Sequence, residues 1–86
     1  MLVATIWAKA IIIPGLNPNL VRKDICGASI YKNEYGNRDN AHGWEIDHII
    51  AIANGGDNSL NNLRPLQWQN NAERSDGQLA CPVRTI

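Results

Sequence analysis

Asp47 and His48 stand side by side at the end of an apolar run; Asn62 follows His48 by fourteen residues, and Asn71 follows Asn62 by nine. Asp47 and Asn71 offer two oxygen donors, one charged and one neutral. That pair suits a hard, hydrated cation such as Mg²⁺, which keeps several waters and binds phosphate oxygens directly. Histidine titrates close to neutral pH, so His48 can take a proton from water. Asn62 sits where a Gly- and Asn-rich loop returns to an apolar segment. Its side chain can hold that loop shut through backbone hydrogen bonds, or accept from the ring N–H of His48. Asn61 and Asn70 are the neighbouring alternatives, and spacing alone favours Asn62 and Asn71. Taken singly these residues are ordinary: an Asp-His pair is common, and a lone Asn on a helix is usually a surface residue. Their combination is not.

The elements that must position them follow from the pattern. Trp44 to Ile50 alternates Trp44, Ile46, His48 and Ile50 with Glu45, Asp47 and Ile49, which predicts a strand ending at the Asp-His pair. Adjacent strand residues point to opposite faces, so a kink at the strand end is needed to bring both side chains to one phosphate. Asn54 to Asn58 is a loop of residues that tolerate positive φ. Leu63 to Leu66 predicts a second short strand, ended by Pro65 and the polar residues beyond, and Gln67 to Arg74 a helix that stops at Asp76-Gly77. Strand, loop, strand and helix form a hairpin with a helix folded across it, which lets Asp47 and Asn71 approach each other.

Upstream, residues 1–13 are rich in Ile, Val and Thr and stop at Pro14-Gly15, predicting a strand or two, chiefly Ile6 to Ile13, with a helix as the alternative. Val21 to Ile25 predicts a short helical turn and Ala28 to Tyr31 an extended piece. Lys32 to Gly43 is polar loop. After Gly77 the tail is apolar enough to add an edge strand or to fray.

The 86 residues make one domain, 1–86, close to the lower size limit for an unaided core. The formal net charge is zero, so no long-range positive field gathers nucleic acid. Cys26 and Cys81 lie far apart with no C-x-x-C, and the expectation is a reduced pair in a cytoplasmic protein. A zinc site from Cys26, His42, His48 and Cys81 matches no ligand spacing. The N-terminal apolar run is too short, and too interrupted by Lys9, for a bilayer span, and it lacks the basic start of a signal peptide.

The stretch D-H-I-I-x(4)-G-G-x(5)-N-L-x-P-L, followed by N-N-x-x-R-S-D, resembles the ββα-metal core of HNH endonucleases in its His-Asn-Asn variant. The resemblance is strong over residues 44–76 and looser just before. It implies an α+β fold, a small ββα-metal core with an N-terminal strand or short-helix extension. It also implies hydrolysis of a phosphodiester to 3′-hydroxyl and 5′-phosphate ends. By the same resemblance His48 is the general base, Asp47 and Asn71 hold one divalent cation (Mg²⁺ first, Mn²⁺ as substitute), Asn62 fixes the loop, and Arg74 stands near the scissile phosphate where the family often has Lys. The paired zinc cysteines of many members are missing here, so no structural zinc is expected. The implied partner is nucleic acid, DNA ahead of RNA, with room for a protein partner or homodimer and none for a membrane. The rival readings are a non-cutting nucleic-acid-binding module, a nuclease subunit that needs a partner, and a small structural protein with Asn-rich turns.

Overall fold

The computed structural model describes residues 2–74 and 77–85. A short helix, α1 (Leu2–Trp7), stands first, where a strand or two, chiefly Ile6 to Ile13, were expected with a helix as the alternative. Ile6, Trp7 and Ala10 are buried and Val3 packs beside them; Val3, Ile6 and Trp7 share one helical stripe, and Ala10 follows in the turn beyond it. The β-branched residues suggested strand, but burial on a 3.6-residue period decides the outcome. Only Ile11 pairs as a strand would, in a single bridge to Lys23.

Two antiparallel hairpins follow. In the first, β1 (Val21–Lys23) pairs with β2 (Ser29–Tyr31). The helical turn expected at Val21–Ile25 is therefore corrected: Val21–Lys23 is strand, because its backbone pairs with both β2 and Ile11. In the second, β3 (Trp44–His48) pairs with β4 (Leu63–Gln67), setting Asp47 opposite Arg64 and His48 opposite Leu63. Pro65 does not end β4. It sits inside the strand opposite Ile46, which a two-stranded sheet tolerates because each strand has an open edge.

The core joins α1 to the hairpins: Ile6, Trp7, Ala10, Ile30, Trp44 and Leu63 are buried together, with the rings of Trp7 and Trp44 5.4 Å apart. From just beyond α1, Lys9 Nζ donates to the carbonyls of Leu60 and Leu63 and fixes the start of β4. Helix α2 (Trp68–Ala72) follows β4 directly. Its cap is Gln67, whose side-chain oxygen accepts from the amides of Gln69 and Asn70.

The cysteines are also corrected. Cys26 and Cys81 form a disulfide with Cα atoms 5.4 Å apart. The tail neither adds a strand to a sheet nor hangs free among the described residues: the disulfide holds Cys81, and Asn70 bonds both backbone groups of Val83. Asp76, expected at the helix end, lies outside the described residues. Among those described, no helix is long and apolar enough to cross a membrane.

Candidate active site

Strand β3 delivers Asp47 into a buried, positively framed position. The carboxylate is 4% exposed. Its Oδ2 accepts from Arg64 Nε at 2.8 Å, directly across the hairpin, and its Oδ1 accepts from the Arg74 guanidinium beyond α2. The same guanidinium also donates to the carbonyls of His48, Ile49 and Gly77. Arg74 Nε is buried and has no hydrogen-bond partner among the described residues.

Glu45 shares a face of β3 with Asp47, two residues back. Arg38 grips it with two bonds of 2.7 and 2.9 Å, and Asn71 Nδ2 donates to its Oε1 at 2.8 Å. The Arg38 bonds hold the Glu45 carboxyl below the ordinary carboxylate range, against the opposing effect of its partial burial, with Asn71 adding to the lowering. Glu45 thereby fixes the amide plane of Asn71 and leaves Asn71 Oδ1 without a partner among the described residues. Asn70, the alternative by sequence, is fully buried and committed to Asp24 and Val83.

The β3–β4 loop is closed by Asn62. Its Oδ1 accepts from Ile50 N at 2.8 Å, and its Nδ2 donates to the carbonyls of Ile50 and Asp57 at 3.0 and 2.7 Å. Only glycine fits at Gly56 beneath this clamp, since a Cβ there would lie 1.8 Å from Ile50 O. Asn62 does not reach the His48 ring. Asn58 does: its Oδ1 lies 2.7 Å from His48 Nε2. Next to it, the Asp57 carboxyl is held below its ordinary range, first by the Ser59 hydroxyl and to a lesser degree by the charge of His48.

Asp47, His48, Asn71 and Arg74 line one cleft of about 250 Å³, with Ile46, Ala51 and Ile52 as its apolar wall. Four of the five residues singled out by sequence thus meet at one opening, and Asn62 stands in the loop beside it. Residues 25–77, well over half of the chain, match the HNH endonuclease family. The chain belongs to that family. No curated protein and no solved structure matches it. HNH membership brings nuclease-type cleavage or binding of nucleic acid as the coarse function, on an α+β frame of small antiparallel hairpins.

The donor chemistry fits a hard divalent cation. Asp47 Oδ1 and the His48 carbonyl already hold the positive Arg74 group, and Asn71, which carries a neutral amide oxygen, lines the same cleft. Among the described residues no three His, Cys, Asp or Glu gather into a metal cluster, so the pair would leave most of the coordination shell to water and phosphate. Two contributors, Arg64 and Asn58, escaped the sequence reading. Arg64 was within reach, because the hairpin register puts it opposite Asp47. Glu45, in sequence one residue of the alternating strand, is held by Arg38 and Asn71. Asn58 carried no signal at all in a loop full of asparagines.

Proposed function

We propose that this HNH protein is a metal-dependent endonuclease that hydrolyses phosphodiester bonds of nucleic acid, DNA ahead of RNA, as a single domain. One observation carries the reading: His48 shares its cleft with Asp47, Asn71 and Arg74. His48 takes a proton from water as the oxygen attacks phosphorus in line, the P–O3′ bond breaks, and the 3′ oxygen leaves and gains a proton from solvent. The ends are 3′-hydroxyl and 5′-phosphate. A divalent cation, Mg²⁺ or Mn²⁺, held by Asp47 and Asn71 would neutralise charge on the scissile phosphate and the leaving oxygen. Arg74 lines the same cleft, and its guanidinium is suited to a phosphate oxygen. Asn62 contributes by holding the loop.

A second reading has its own support. Both Asp47 oxygens carry guanidinium groups, which balances the carboxylate without any metal, as in a module that binds nucleic acid and does not cut. Nicking of supercoiled plasmid with Mg²⁺ or Mn²⁺ against EDTA separates the two. Metal-dependent nicking that falls by about 10²–10⁴-fold in His48→Ala supports the nuclease. Equal nicking by that variant sinks the base assignment, and plasmid retention without any nicking moves the reading to the binding module.

A further inference from the structure

The loop between β3 and β4 does more than close. Asn62 pins the Asp57 carbonyl from one side, while the Asp57 carboxylate accepts from the Ser59 amide at 3.1 Å and the Ser59 hydroxyl at 2.7 Å. Asn58 is thus held between two fixed residues, and its side chain turns back onto His48. The neighbouring Asp57 carboxylate is occupied by Ser59, so the acceptor offered to the ring is the neutral amide oxygen.

A neutral imidazole has one N–H and one lone pair, and an amide oxygen can only accept. With Asn58 Oδ1 at 2.7 Å, the hydrogen belongs on Nε2 and the lone pair on Nδ1. We infer that Asn58 is the positioning residue for His48: it selects the Nε2–H tautomer, fixes the ring, and leaves Nδ1 as the nitrogen that takes the proton from water. This inference rests on the proposed role of His48 as base. It also gives the Asn62 clamp its use, since Asn62 builds the loop that presents Asn58.

Asn58 is exposed, so replacing it leaves the core untouched. Asn58→Leu keeps the bulk and removes the acceptor, and Asn58→Asp keeps the acceptor. Two-bond ¹H–¹⁵N correlation spectra of metal-free, ¹⁵N-labelled protein at alkaline pH read the tautomer of His48 directly. Wild type and Asn58→Asp are expected to show the hydrogen on Nε2, and Asn58→Leu a mixture. In plasmid nicking, Asn58→Leu is expected to lose about 10–100-fold in kcat with KM changed less than about twofold. Asn58→Asp recovers most of that kcat. A wild-type His48 with its hydrogen on Nδ1, or an Asn58→Leu protein with wild-type tautomer and kcat, overturns the inference. The two failures separate: His48→Ala cutting at the wild-type rate removes the base and with it the catalytic use of Asn58. An unaltered tautomer in Asn58→Leu overturns the inference and leaves the proposed nuclease intact.

Discussion

At the scale of single residues, Asp47 is the carboxylate that two guanidiniums of the site share. It is buried, and it stands between two guanidiniums whose side chains are themselves only 19% and 10% exposed. Removing its charge leaves two guanidiniums without their counter-charge in a poorly hydrated place, which costs about 3 kcal/mol. Asp47→Asn is therefore expected to lower the melting temperature by on the order of 10–20 °C before any metal is added. The informative quantity is the increment that Mn²⁺ adds to each protein's own melting temperature. Wild type should gain several degrees by linkage and Asp47→Asn none. An equal gain in both proteins would remove Asp47 from the metal site. Asp47, His48 and Asn71 could be found in sequence because their types and spacings suit one reaction. Asn58 could not, because nothing in a run of Asp, Asn and Ser tells which side chain turns toward a histidine ten residues earlier.

At the scale of elements, the hairpin of β3 and β4 was legible, since Trp44 to Ile50 alternates cleanly and the loop residues accept unusual backbone angles. Helix α1 was not, because six residues rich in β-branched side chains carry too little periodicity to outweigh their strand preference. The support of α2 was hidden for a different reason. The Asp24 carboxylate, 1% exposed, accepts from the amides of Cys26 and Ala28 through Oδ1, and from Gln67 N and Asn70 Nδ2 through Oδ2. Two of its partners, the cap Gln67 and Asn70 of α2, lie more than forty residues away. One carboxylate thus joins the first hairpin to the start of the helix that carries Asn71. Asp24→Ala leaves buried donors without an acceptor, at about 1–3 kcal/mol each for those that water cannot reach. We expect a loss of about 3–5 kcal/mol in urea unfolding. A loss below about 1 kcal/mol would show that α2 is held in place by packing alone.

At the scale of the whole molecule, a chain of this length has little apolar surface to bury, and the Cys26–Cys81 bond supplies what the core lacks. The sequence pointed to a reduced pair because the cysteines are 55 residues apart and belong to no local motif. What brings them together is tertiary: Asp24 shapes the turn that bears Cys26, and Asn70 binds Val83, two residues beyond Cys81. A cross-link spanning 55 residues restricts the unfolded chain by about 4 kcal/mol on the chain-entropy estimate. Reduction should therefore destabilise the protein by about 2–4 kcal/mol, and it should slacken α2 through the released Val83 contacts. The Cys26→Ser/Cys81→Ser protein is expected to melt on the order of 10–20 °C below wild type and to ignore added reductant, while wild type falls to meet it. Mass spectrometry of the alkylated chain reports the bond independently. A wild-type protein that alkylates fully without reductant, and melts alike with and without it, would return the pair to the reduced state expected from sequence. If the drop is found, cleavage by the reduced protein becomes the next reading. Because α2 bears Asn71 and leads into Arg74, activity should fall with the same dependence on reductant as the melting temperature.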